Sequence, residues 1–317
     1  RSMVVEVGNT MAYGNSLAIE ELNLTTNTLT VSGDFPHSIT AHGGHTLALA
    51  GGGDVIEYNV SGTTRLFYSW NDNTDWDVGT FDFGSTFDDD FMSIVPTTPL
   101  AGSDLTDGVG LEHPLLVSLH DDILYIGSGR YVHAYDGSID TFTAQALVLP
   151  LGYRVRGFAE MQYDTIVFAD NGNANNTRTE AKAFFWSQDR PATFYKAVTL
   201  EDDEVSAPFE YRGTVGCFTI NRSGLSMRIF DGVRFDQKAV VGGGSLPSVG
   251  GVEIQDDLVK WNSSGNIYSW GNFRNEIASG LHHILTCGTT SGFLKSLISN
   301  ILYASGDVGA TTGLVRF

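Results

Sequence analysis

Positive charge is scarce in this chain. Its 317 residues carry 18 Lys plus Arg against 37 Asp plus Glu, for a formal net charge of −19 and a pI near 4.6. A surface that wraps nucleic acid needs a positive field to displace condensed counterions, and the basic residues here are few and scattered, which argues against nucleic-acid wrapping and any nucleic-acid specificity. Cysteine is rarer still. Cys217 and Cys287 stand two repeat steps apart, each flanked by strand-forming residues, and both are expected to be buried free thiols rather than a disulfide. No apolar run approaches the roughly 18 residues of a membrane span, and no signal-peptide-like apolar core follows Arg1, so the chain reads as soluble and, beginning on Arg, as processed. The 3.6-residue apolar period of amphipathic helices is also missing.

What the chain does hold is a recurring short-strand pattern. From His113 to Gly137, one apolar run ends at Asp121-Asp122, a second stops at Gly127-Ser128-Gly129, and a third closes on Tyr135-Asp136-Gly137. Short β-branched or aromatic runs separated by turn-forming residues make an antiparallel meander. The pattern returns at Asp164-Thr165-Ile166-Val167-Phe168, at Gly213–Phe218, at Asp257–Trp261 and at Ile301-Leu302-Tyr303. From Ile123 to Thr165, Thr214, Leu258 and Ile301 the steps are 42, 49, 44 and 43 residues. A repeat of about 40–50 residues that carries four strands is the signature of a β-propeller blade. The 37 glycines suit a fold with many tight turns, and 11% aromatic residues suit blades packed face to face with rings filling the wedge between them. An aromatic element, Phe67–Trp76 and again Phe184–Phe194, with a shortened version at Ile267–Gly271, supports the repeat.

The fold class expected is therefore all-β, a single β-propeller domain over 1–317. Six blades are the first count and seven the alternative. An upstream copy at His45–Ala50, with Val55–Asn59 after it, lies 77 residues before Ile123 when counted from Thr46, so 71–113 is expected to be an irregular insertion or a degenerate extra blade. Residues 18–31 are expected to form a hairpin rather than a helix, because Thr25-Thr26-Asn27-Thr28 interrupts an alternating pattern. The tail Gly313–Phe317 is too short to finish a blade, so the N-terminal strand is expected to complete the C-terminal blade and remove its open edge.

Candidate chemistry is sparse. Ser187-Gln188-Asp189-Arg190-Pro191-Ala192-Thr193-Phe194 resembles the Asp box of sialidases and related propellers, with Pro191 where that pattern has glycine; an Asp box is a turn-stabilising hairpin, so the match is structural. A sialidase also needs an arginine cluster to clamp a carboxylate, and no spacing singles out three of Arg130, Arg154, Arg156, Arg212 and Arg222. His42-Gly43-Gly44-His45 and His282-His283 lack a carboxylate or cysteine partner at a recognisable metal-site spacing. Asn73–Asp77 has oxygen ligands on alternate residues but not the glycine and closing glutamate of a calcium loop. Asp88-Asp89-Asp90 and Asp202-Asp203 are expected to cap strands. Asn59, Asn175 and Asn221 head glycosylation-type triplets. Trp70, Trp76, Trp186, Trp261 and Trp270 could stack on sugars, although tryptophans in a repeat are more often core. No catalytic, cofactor or metal residue is assigned, and an enzyme is not expected.

The succession Pro114–Leu119, Asp122–Val132 and Tyr135–Gly137, followed by Trp186–Phe194, Asp202–Ser206 and Ser226–Gly232, resembles the propeller-type structural proteins of tailed-bacteriophage virions, which occur in tail nozzles, tail tips and fibre-associated parts. The resemblance spans residues 40 to 305 loosely and carries over no functional residue. It implies a non-enzymatic structural component of the virion tail region that contacts other virion proteins, in a homo-oligomeric or ring assembly. It implies further that such a component can touch a host-surface glycan. A glycan-binding module and a sialidase-like glycan-cleaving enzyme are the alternatives.

Overall fold

The structure, a computed structural model, describes residues 113–172, 179–247, 251–272 and 279–286 throughout, and most of 54–69 with 78–80 and Phe91. Elsewhere it describes the backbone of strands alone. Those strands form seven antiparallel sheets in chain order. The first holds β1 to β5 (Met3–Val7, Thr10–Gly14, Ala18–Asn23, Thr28–Thr30, His37–Ser38) and the second β6 to β9 (Val55–Val60, Thr63–Asn71, Trp76–Phe81, Phe87–Asp88). The third holds β10 to β13 (Leu115–Val117, Leu124–Ser128, Tyr131–Asp136, Thr141–Val148) and the fourth β14 to β17 (Arg154–Met161, Asp164–Asp170, Ala181–Ser187, Lys196–Thr199). The fifth holds β18 to β21 (Glu204–Tyr211, Thr214–Asn221, Gly224–Phe230, Phe235–Val241) and the sixth β22 to β25 (Val252–Gln255, Leu258–Ser263, Asn266–Gly271, Gly280–Thr286). The seventh holds β26 to β28 (Thr290–Lys295, Leu302–Val308, Thr311–Arg316). Each sheet's first strand neighbours the first strand of the next, from β1 through β6, β10, β14, β18 and β22 to β26, and β26 lies against β1. The ring is closed, and the chain is a β-propeller.

Two expectations are corrected here. The described strands form seven sheets, the alternative count rather than the first, because the six copies of the repeat run from the upstream one before β6 to the last blade and leave out the first sheet, β1 to β5. The N-terminal strand does not complete the last blade: β1 pairs with β2 in the first sheet, and among the described residues the last sheet has three strands. The ring instead closes by packing of inner strands, which needs no hydrogen-bonded ladder across the seam. Part of the span expected to be irregular supplies β8 and β9, while 92–112 lie outside the described residues. The repeat positions at Thr165, Thr214 and Leu258 do fall on second strands, and Ile123 and Ile301 each immediately precede one. The expected hairpin appears as β3 paired with β4. Phe67 lies on a second strand and Phe184 on a third, so those aromatic segments are not equivalent, whereas Phe184 and Ile267 are.

Why the blades need one another follows from their side chains. In β15, Ile166 and Phe168 join the apolar cluster shared with the fifth blade, while Val167 and Ala169 join the cluster shared with the third. Because successive strand residues point to opposite faces, a strand buried on both faces reads as a continuous apolar run. Among the described residues four clusters of buried side chains lie between blades: second with third, third with fourth, fourth with fifth, fifth with sixth. Aromatic pairs cross each of these seams. Tyr58 meets Tyr135 at 6.2 Å between ring centres, Tyr125 meets Trp186 at 5.1 Å, Phe185 meets Phe230 at 5.1 Å and Phe218 meets Trp261 at 5.1 Å. Such pairs contribute about 0.5–1.5 kcal/mol each beyond the area they bury. Near the axis the blades crowd: a Cβ added to Gly157 on β14 would lie 2.5 Å from Cγ and Cδ of Pro208 on β18. Glycine there lets adjacent inner strands converge.

Candidate functional site

Antiparallel order gives the disc two unlike ends. Turns between first and second strands and between third and fourth strands share one end, the hairpin face. Turns between second and third strands, and the connections to the next blade, share the other, the connector face.

On the hairpin face, Arg190 in the turn from β16 to β17 forms a node between the third and fourth blades. Its Nε donates to Asp121 Oδ2 at 2.9 Å, Nη1 to Thr165 Oγ1 at 2.7 Å and Nη2 to Ser118 Oγ at 2.9 Å. Glu160 Oε1 lies 3.5 Å away, and the guanidinium sits 4.8 Å from the ring centres of both Tyr125 and Trp186. Glu160 is buried and ties the node to the previous blade by accepting the Leu119 amide at 2.8 Å. The Arg190 guanidinium and the Tyr125 hydroxyl hold the Asp121 carboxyl below its usual range against the opposing effect of burial. The stretch that resembles an Asp box does form a structural hairpin, with Trp186 Nε1 donating to the Pro191 carbonyl at 2.7 Å, but the inward-reaching residue is Arg190 while Asp189 is exposed. No local pattern marks Arg190 in the sequence, since its partners lie up to 72 residues away.

The connector face is organised by carboxylates that grip the next blade. Asp54 Oδ2 accepts the Leu115 amide at 2.9 Å, and Asp170, held by Arg156 at 2.9 and 3.1 Å, accepts the Val205 amide at 3.4 Å. Asp202, expected to cap a strand, is buried just before β18, takes both Nε and Nη2 of Arg228 at 2.8 Å, and receives Thr219 Oγ1 and Asn221 Nδ2. Beside it opens a cavity of about 860 Å³ lined by Asn171, Thr179, Glu180, Asp203, Asn221, Arg222 and Ser223. Its walls are cross-braced. Thr179 Oγ1 donates to Asp203 at 2.7 Å, Tyr153 donates to Glu180 at 2.6 Å, and Lys182 pairs with Glu180 at 2.9 Å. The Tyr153 hydroxyl, and then Lys182, hold the Glu180 carboxyl below its ordinary range. A carboxylate so stabilised is a hydrogen-bond acceptor, not a proton donor.

The arginines do not form a clamp. Arg156 is paired with Asp170, Arg212 with Asp257 at 3.1 Å, Arg154 donates to the Gly172 carbonyl, Arg130 lies over Tyr131, and Arg222 stands exposed at the cavity. His283 contacts Asn266 at 3.2 Å, and no group of three or more His, Cys, Asp or Glu placed to hold a metal occurs among the described residues. His42, His45, Asn73, Asn175 and Cys287 lie outside the described residues. Trp186 and Trp261 are wholly buried, Trp270 is half-buried against Tyr211, and nothing is described of the side chains of Trp70 and Trp76. Cys217 is a buried free thiol whose pKa burial drives far up. Asn59 and Asn221 cap their own turns, accepting the amides of Gly62 at 2.8 Å and Ser223 at 2.7 Å. Two buried histidines went unmarked in the sequence. His113, bonded through Nδ1 to the Gly127 carbonyl at 3.1 Å, and His133 both have pKa values pushed down to about 4 by burial. Among the described residues no helix is long and apolar enough to cross a membrane.

These features define a β-propeller whose buried charges join blade to blade. No known protein family matches the sequence, and no curated protein is similar to it. Solved propeller-containing structures share the fold. The extracellular domain of the hybrid two component system BT4673 from B. thetaiotaomicron aligns with 99% of this chain at 12% identity and a TM-score of 0.61, the chain spanning 38% of that protein's length. The Dos1 propeller aligns at 10% identity over 99% of this chain and 91% of its own, with a TM-score of 0.60. Drosophila Plexin A, solved in complex with Semaphorin 1b, aligns at 10% identity over 99% of this chain and 84% of its own, with a TM-score of 0.53. At these identities the likeness is one of fold alone.

Proposed function

We propose that this propeller is a non-enzymatic structural component of an assembly, working through protein–protein contacts, and that the assembly is the tail region of a bacteriophage virion. The observation that carries the reading is how the buried ionic groups are used. Glu160 with Arg190, Asp170 with Arg156 and Asp202 with Arg228 are each spent on holding strands and blades together. A paired-carboxylate glycosidase would instead need one carboxyl raised to serve as the acid, whereas at the connector-face cavity Glu180 is held below its ordinary range and Asp203 accepts the Thr179 hydroxyl. Glu210 is raised by burial, yet it accepts the Glu160 amide at 3.1 Å and sits on the hairpin face, away from the connector-face cavity. The virion assignment draws on the sequence resemblance alone. Negative-stain micrographs of particles from the source material, labelled with an antibody against this chain, test it. Label on tails is the expected result, and a chain found only free of particles sinks the assignment.

A second reading, a glycan-binding module, is favoured by the connector-face cavity, whose amide, hydroxyl and carboxylate groups suit sugar hydroxyls. Trp186 and Trp261 are too deeply buried to serve it as platforms. Glycan-array binding lost on Asp203→Ala would promote this reading over the first.

A further inference from the structure

We propose that the hairpin face carries a docking site, centred on Leu119, Tyr163 and Tyr195, for a basic polypeptide segment bearing apolar side chains. The inference rests on the protein–protein reading above and names the surface and the chemistry of its partner. Leu119 is 83% exposed, Tyr163 59% and Tyr195 60%. Large apolar groups left in water are ordinary when scattered, but these three ring a single feature, the Arg190 node. Leu119 lies in the turn that Arg190 grips through Ser118 and Asp121, Tyr163 accepts the Gln188 amide through its carbonyl at 3.0 Å, and Tyr195 donates its hydroxyl to Asp164 at 2.7 Å. His120 Nε2 reaches the Met161 carbonyl at 3.0 Å, stitching the Leu119 turn to the Tyr163 turn across the seam between blades.

The patch is therefore rigid before anything binds, which removes much of the ordering cost that association otherwise carries. Tyrosine is also among the residues that dominate binding energy at protein interfaces. The asymmetry between the two ends points the same way. Ile139 and Val233 are also exposed on the hairpin face, at 67% and 76%, whereas towards the connector end the described residues of this class are Leu151, at 75%, and the less exposed Val240 and Ile284 on outer strands, at 43% and 39%.

Charge selects the occupant. Asp121, Asp122 and Asp189 lie in the turns around the patch, while its cations are engaged, Arg190 with Asp121 and Glu160 and Lys196 over the rings of Phe185 and Phe230. On a chain of net charge −19 the same face of a second copy would be repelled, and a partner with Lys or Arg interleaved among apolar side chains complements both features.

The test titrates the intact chain with three fluorescent synthetic peptides of equal length, Lys–Leu, Lys–Ser and Glu–Leu copolymers, at near-physiological salt. The Lys–Leu peptide is expected to bind saturably and about tenfold or more tighter than Lys–Ser, with Glu–Leu not binding. The double variant Leu119→Ser/Tyr163→Ser is expected to weaken Lys–Leu binding about tenfold or more, and Leu151→Ser on the opposite face to leave it unchanged. All three positions are exposed, and equal unfolding midpoints confirm that the variants fold. No saturable binding, a double variant within about twofold of the parent, or an equal loss in Leu151→Ser overturns the proposal. Leu119-dependent self-association in sedimentation overturns it too, since the occupant is then a second copy. Particle images with the hairpin face bare would defeat the docking site and leave the structural role standing. Peptide binding by a chain that also cleaves glycans would do the reverse.

Discussion

Replacing Arg190 by Met tests whether the node is what holds the third and fourth blades in register. Methionine keeps the apolar stem against Tyr125 and Trp186 but removes the guanidinium. Glu160, whose side chain is 4% exposed, then keeps only the Leu119 amide, Thr165 Oγ1 and a distant His120 as partners. Stripping one partner from a buried ion pair costs about 3–5 kcal/mol, because the remaining charge stays desolvated. Asp121, with 26% of its side chain exposed, is rewetted and adds little. At about 2.1 cal/mol/K per residue, a 317-residue chain unfolds with an entropy of about 0.7 kcal/mol/K, so a loss of about 4 kcal/mol lowers Tm by about 6 °C. Lysine at 190 retains charge but cannot fork to Asp121, Ser118 and Thr165 at once, and its Tm falls between the two. Scanning calorimetry and urea unfolding read all three proteins. Adding Glu160→Gln to Arg190→Met removes the stranded charge, so the double variant recovers about 1–3 kcal/mol relative to additivity. An Arg190→Met protein within about 1 kcal/mol of the parent, or strict additivity in the cycle, refutes the reasoning.

Acid should weaken the fold in a window set by His113 and His133. Their native pKa values near 4 lie below the ordinary 6.5, so between those limits the unfolded chain takes up protons that the native one refuses. The histidine share should be level above about pH 6.5, cost up to about 3 kcal/mol per histidine toward pH 4 and flatten below, where protonation of the depressed Asp121 and Glu180 carboxyls continues the loss; a urea midpoint unchanged from pH 7 to 4.5 contradicts this. Gly157→Ala drives a methyl into the Pro208 ring and should cost about 1–3 kcal/mol, whereas Gly242→Ala, with nothing within 4 Å, should be close to neutral in the same unfolding assay. Cys217, its thiol pKa raised by burial, should resist iodoacetamide in the native protein and react once urea unfolds it, as peptide mass spectrometry would report.

The repeat was readable along the chain because a blade is local: Ile166-Val167-Phe168-Ala169 announces a strand apolar on both faces, and Asp-Asp or Gly-Ser-Gly announces where it turns. From that period and from the wealth of aromatic residues the propeller follows, since sheets with two apolar faces must lean on neighbours. Blade number and closure were not readable, because both depend on contacts between the two ends of the chain and on the first blade, β1 to β5, which was not recognised as a copy. The Arg190 node was equally hidden. Its partners Ser118, Asp121 and Glu160 are brought together by the packing of one blade on the next, and residues that meet across 72 positions leave no mark on local pattern. Strand periodicity is written by neighbours in sequence; the two unlike faces of the disc, the rigid tyrosines on one and the polar cavity on the other, arise only when the ring closes.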